Sequence, residues 1–230
     1  MALVAVFAVS ALAAASAAAQ PEFVTATFPV KFSAKGGPGT LETKTGLKVT
    51  CSSSKATGSI ETAVKVGQVF VEFEGCKTTV TGINLTCGPG GTITSLELAA
   101  VVWLEPGTQK TTKEPVIVLT PAAFKEPGPD VNFAKFTCEN TAKFKEVLTV
   151  QGGSLIGKIS PKNTKTKKFN LTFNQTGGVQ ELLKLESAGG TVTPKILETK
   201  GEETLIFGFT QSGVQGTVEI ETAAAVELKS

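Results

Sequence analysis

Gly67-Gln68-Val69-Phe70-Val71-Glu72-Phe73-Glu74-Gly75-Cys76 has the composition of a β-strand, with β-branched and aromatic residues held between two glycines. Side chains alternate across a strand with period two. Val69, Val71 and Phe73 therefore fall on one face, and Phe70, Glu72 and Glu74 on the other. The stretch ends in a cysteine, so one end can be tied covalently. It is read as a central strand of an all-β protein, with similar strands before and after it.

The rest of the chain repeats that pattern: short apolar runs separated by Gly, Pro, Ser or Asn. Candidate strands run over 23–32, 41–51, 58–64, 69–74, 79–87, 92–104, 115–119, 131–138, 142–150, 154–160, 168–173, 182–186, 191–197, 204–210 and 217–228. Turn signals such as Gly36-Gly37-Pro38-Gly39, Gly88-Pro89-Gly90-Gly91 and Gln151-Gly152-Gly153 lie between them. The stretches 179–186 and 222–228 have helix-compatible composition, but neither has caps or length, and strand is preferred for both. The expected fold is an antiparallel β-sandwich or barrel. It forms a single all-β region over 20–230, with a sub-domain boundary near 125 as a variant. Lys48-Val49-Thr50-Cys51 and Lys135-Phe136-Thr137-Cys138 form a faint internal echo.

Composition narrows the chemistry. Net charge is only +2, which gives no global attraction to nucleic acid or an anionic membrane. All 22 basic residues are lysines, there is no His and no Tyr, and Asp130 is the sole Asp. Without His, no Ser-His-Asp triad, Cys-His dyad or imidazole metal site can form. Without Arg there is no bidentate clamp on phosphate or carboxylate. One Asp cannot build an Asp-rich calcium loop. No cofactor, metal or catalytic residue is assigned.

Met1 to Ala19 is almost wholly apolar and ends in Ala17-Ala18-Ala19, a small-residue cleavage pattern. It is read as a signal peptide, with no stable membrane span after its removal, and implies a secreted, extracellular or cell-surface protein. The segment lacks the usual basic residue at its start, which suggests a late start codon or a truncated reading frame.

Behind this leader, Cys51, Cys76, Cys87 and Cys138 form an even set without a Cys-x-x-Cys pair, so structural disulfides are preferred to metal ligation. Four cysteines allow three pairings. Cys76–Cys87, closing a hairpin around Thr81-Gly82, with Cys51–Cys138, is favoured. Cys51–Cys76 with Cys87–Cys138 is second.

Other motifs are weaker. Gly152-Gly153-Ser154-Leu155-Ile156-Gly157-Lys158-Ile159 approaches a phosphate-binding loop, but Ile159 replaces the magnesium-holding hydroxyl. The segment is read as a hairpin turn and strand. Ser52-Ser53-Ser54-Lys55 and Lys44-Thr45-Gly46 match two elements of penicillin-recognising enzymes in reversed order, without the third. Glu72 and Glu74 share a strand face and are read as solvated, since glycosidases bring carboxylates from separate elements. Lys158, Lys162, Lys165, Lys167 and Lys168 form a basic run that offers a contact for an anionic cell-wall polymer. Without Arg or interleaved aromatics it does not suit nucleic acid, and edge-strand protection is its simplest role.

Several segments resemble a family of secreted, uncharacterised actinobacterial proteins: 48–51, 69–76, 134–138, 153–163 and Phe169-Asn170-Leu171-Thr172-Phe173. The resemblance implies secretion and an all-β fold, and no site. The function expected is a secreted, non-catalytic binding or structural module, whose partner is an anionic wall polymer or another surface protein. The alternatives are an extracellular glycan-acting enzyme using Glu, and a barrel carrying an apolar ligand.

Overall fold

The computed structural model describes residues 20–105, 114–123, 131–142, 144–187, 190–201 and 209–230. The leader at 1–19 lies outside the described residues, as do most of the candidate strand at 204–210 and the point near 125.

The fold is all-β and antiparallel, and the chain passes back and forth between two barrels. It opens with β1 (Glu22–Val24) and β2 (Val30–Gly36) in barrel 1, then crosses to barrel 2 for the hairpin β3 (Gly39–Thr43) and β4 (Lys48–Cys51). It returns for β5 (Ser53–Ile60) and β6 (Lys65–Glu74), and crosses again for β7 (Lys77–Val80) and β8 (Ile83–Cys87). Next come β9 (Ile93–Thr94), β10 (Leu98–Leu104) and β11 (Pro115–Pro121) in barrel 1, and β12 (Asn132–Glu139) and β13 (Lys145–Gly152) in barrel 2. Barrel 1 then takes β14 (Leu155–Ser160) and β15 (Lys165–Phe173). Two short hairpins follow, β16 (Gln175–Thr176) with β17 (Val179–Gln180), and β18 (Leu185–Ser187) with β19 (Gly190–Val192). The chain ends with β20 (Leu197–Gly201) in barrel 2 and the long β21 (Thr210–Lys229).

Each barrel closes. Barrel 1 runs β2-β5-β6-β10-β11-β14-β15-β21 and back to β2. Barrel 2 runs β3-β4-β7-β8-β12-β13-β20-β21 and back to β3. In both rings the strands follow chain order. Both barrels draw strands from either side of residue 125. β21 is their common stave: Thr210–Gln215 pairs with β20 and β3, while residues from Gly216 onward pair with β15, β2 and β1. Closure leaves no open sheet edge in either ring.

The alternation expected for 69–74 is observed. Val69, Val71 and Phe73 face the interior of barrel 1, and Phe70 is exposed on the wall. The strand begins earlier than expected, at Lys65, because a bulge at Gly67-Gln68 resets its register against β5 and β10. One apolar core runs through both barrels, from Phe23 and Val30 in barrel 1 to Leu85 and Leu148 in barrel 2. A smaller cluster lies outside barrel 1, where Val116, Val118 and Ile156 are covered by Leu185 and flanked by Trp103. The Trp103 indole N–H donates to the Glu186 carbonyl. The outward apolar face of β10, β11 and β14 is thereby kept from water. Among the described residues no helix is long and apolar enough to cross a membrane.

The disulfides are Cys51–Cys76 and Cys87–Cys138, with no free cysteine. This corrects the favoured pairing and agrees with the second. The β7–β8 hairpin does form around Thr81-Gly82, and its ends do meet, with the Cys87 N–H donating to the Cys76 carbonyl at 2.9 Å. Each sulfur, however, bonds across the seam on its other side. Cys87 lies directly opposite Cys138 on β12, and Cys76 adjoins Cys51 at the end of β4. Cys51 and Cys138 lie on strands separated by β7 and β8, roughly 14 Å around the wall, which is too far for a bond.

A second correction concerns Gly152-Gly153. It is a crossover from barrel 2 to barrel 1, not a hairpin: β13 pairs with β12 and β20, and β14 with β11 and β15. A Cβ on Gly152 would lie 2.3 Å from the Ile196 carbonyl oxygen, and one on Gly153 would lie 2.5 Å from the Lys195 Cβ. Only glycines allow the chain to pass there.

Candidate functional site

Barrel 1 is not solid. A cavity of about 210 Å³ lies inside it and reaches the waist between the two barrels. No charged residue lines it. Its walls come from inward positions of the barrel strands, whose alternate residues are apolar; the outward positions are polar on β15 and β21 and apolar on β10, β11 and β14. On β15 the inward Phe169, Leu171 and Phe173 are buried. On the adjoining β21 and β2, and across the ring on β6, the inward Val218, Ile220, Phe32, Val71 and Phe73 are only half-buried. Well-filled barrels bury such side chains fully.

The cavity meets solvent at the waist. Gly37, Pro38 and Gln215 line it and are exposed as well. This mouth lies where β2 leaves barrel 1 for β3 and where β21 passes between the barrels. Inward positions on β21 run Val214, Gly216, Val218, Ile220, so a side chain is missing at Gly216. A Cβ there would lie 3.6 Å from the Gly39 Cα and 3.7 Å from the Pro38 carbonyl oxygen, an ordinary contact distance.

The few polar groups in the lining divide by depth. Inside, the Ser95 hydroxyl oxygen accepts the Val71 N–H at 3.0 Å, and the Thr222 hydroxyl donates to the Ala224 carbonyl at 2.7 Å. At the mouth, Thr40, Ser54 and Gln215 have side chains with no hydrogen-bond partner among the described residues.

The residues singled out in the sequence lie elsewhere. Lys158 pairs with Glu105 at 3.3 Å, Lys162 with Glu114 at 2.9 Å and Lys168 with Glu219 at 3.0 Å. Lys165 is exposed opposite Glu227, and Lys167 is exposed at a bulge. The basic run is thus spread along an outer wall and interleaved with glutamates. The carboxylate of Glu219 beside Lys168 raises the ammonium's pKa.

Glu72 and Glu74 also sit on the outer wall, each with a carboxylate oxygen 2.8 Å from Lys55 Nζ. The Lys55 ammonium and the Ser53 hydroxyl lower the Glu74 pKa. Ser53 and Lys55 of the Ser-x-x-Lys match thereby become wall contacts, while Lys44-Thr45-Gly46 turns at the far end of the β3–β4 pair. Among the described residues, no group of three or more His, Cys, Asp or Glu converges to hold a metal ion. Lys158 of the phosphate-loop look-alike lies on strand β14, not at a helix start.

No protein-family model, curated protein or solved structure matches the chain. A barrel interior able to hold an apolar ligand was among the alternatives read from the sequence, but the residues at the mouth of this cavity were not. The available signal was a glycine at an inward place of an otherwise apolar alternation, Val214-x-Gly216-x-Val218-x-Ile220.

Proposed function

We propose that this protein is an extracellular, non-catalytic binding module whose first barrel holds a small apolar ligand. Of the readings drawn from the sequence, this joins the binding module to the apolar-ligand barrel. One observation carries it: inward apolar side chains that remain half-buried around a mouth-connected cavity of about 210 Å³. Eight-stranded barrels are either filled by side chains or hold one small ligand. A dry apolar cavity of about 150 Å³ is enough to take benzene. Two disulfides in a chain with an apolar leader support the extracellular part of the reading.

The test is a titration with naphthalene, followed by side-chain methyl NMR and thermal unfolding. Shifts should concentrate on Val71, Val218 and Ile220. A ligand at a hundred times its Kd should stabilise the fold by about 2.7 kcal/mol. Unchanged spectra and an unchanged melting temperature at saturating naphthalene would remove this reading.

A further inference from the structure

Resting on that reading, we propose that the ligand is an uncharged amphiphile of about six to ten carbons. It would enter tail first through the gap framed by Pro38, Gly39 and Gly216, with its polar end at Thr40, Ser54 and Gln215.

Three features of the cavity lead there. First, the lining excludes charge. It holds no Lys or Glu, so an ionised end docked at Thr40, Ser54 and Gln215 would give up part of its hydration there and gain no counter-charge. Second, the polar groups are sorted by depth. The Ser95 and Thr222 hydroxyls are tied to the barrel's own backbone. Those of Thr40 and Ser54 and the Gln215 amide lie unengaged at the rim. A ligand with one polar end satisfies its own hydrogen bonds only with that end at the rim, while its hydrocarbon replaces water against Phe32, Val71 and Ile220. Third, Gly216 keeps the entrance open. Its neighbours on the same face, Val214 and Val218, carry side chains into the interior, and opposite it stand Pro38 and Gly39. A large side chain at 216 would occupy the passage without a backbone clash, since its Cβ meets nothing closer than 3.6 Å.

The experiment compares binding of 1-octanol, octanoate, octylammonium and naphthalene to the full chain and to Gly216→Phe. Gly216→Leu serves as a second variant should the first not fold. Folding is checked by circular dichroism and melting temperature. Octanol should bind the parent chain at least about tenfold more tightly than octanoate or octylammonium, a difference of about 1.4 kcal/mol. Gly216→Phe or Gly216→Leu should weaken octanol at least about tenfold while staying folded. Octanoate or octylammonium binding as tightly as octanol would overturn the exclusion of charge. A folded variant that binds octanol unchanged would overturn the placement of the mouth. If naphthalene binds and octanol does not, the amphiphile proposal falls and the apolar-ligand reading survives. If neither binds, both fall together.

Discussion

Thr81 and Gly82 occupy the two-residue turn between β7 and β8 with φ of 47° and 83°. Both are left-handed, as a two-residue hairpin turn that matches strand twist requires. Gly82 adopts this without cost, but Thr81 is β-branched and strained there. Thr81 is exposed. Thr81→Asn should therefore stabilise the protein by about 0.5–1 kcal/mol, read as a melting temperature higher by about 2–4 °C. A lower melting temperature would show that the Thr81 side chain is doing something the turn geometry does not reveal. The turn itself was legible in the sequence, because Thr-Gly sits between alternating apolar residues of equal length. The left-handed Gln68 (φ 53°) was not, since that bulge exists only to reconcile β6 with the registers of β5 and β10 on its two sides.

Two of the joints between hairpins in barrel 2 are short. In barrel 2 the seams β4–β7 and β8–β12 each join only two residue pairs, against seven for the β12–β13 hairpin. Each of these two seams carries one disulfide, Cys51–Cys76 on the first and Cys87–Cys138 on the second. Where β20 meets β21, the buried Thr199 and Ser212 hydroxyls are in contact at 2.9 Å. The sequence separations of 25 and 51 residues correspond to about 3.5 and 4 kcal/mol of lost chain entropy in the unfolded state. Replacing Cys87 and Cys138 together by Ala should cost about 4 kcal/mol, and Cys51 with Cys76 slightly less. Urea unfolding of the two double variants tests this, and either one unfolding at the parent midpoint would show that its seam closes without the covalent bond. The even cysteine count was readable in advance. The pairing was not, because a hairpin brings Cys76 and Cys87 together in any fold, whereas the neighbour on each hairpin's outer side depends on how the whole ring is ordered.

The two barrels share β21 and one continuous apolar core, so neither can lose its structure while the other keeps its own. A single cooperative transition is expected. Trp103, the sole tryptophan, reports on the outside of barrel 1, and far-ultraviolet circular dichroism reports on both barrels. The two curves should coincide for the parent chain. They should also move together in Phe169→Ala, whose ring is buried in barrel 1 and whose loss should cost about 3–5 kcal/mol. Separate midpoints would mean that β21 joins two independent units. At this scale the sequence by itself determined the all-β class, the outward and inward faces of its strands and most of the turns, because period-two alternation and turn chemistry are properties of neighbouring residues. It also ruled out histidine- and arginine-based sites, which depend on residue types alone. Only the tertiary structure decided that the strands close into two rings, that the disulfides clip two short seams of barrel 2, and that a glycine on β21 lines an apolar cavity. Each of these depends on which strand lies beside which, and ring closure sets that across separations that no local pattern encodes.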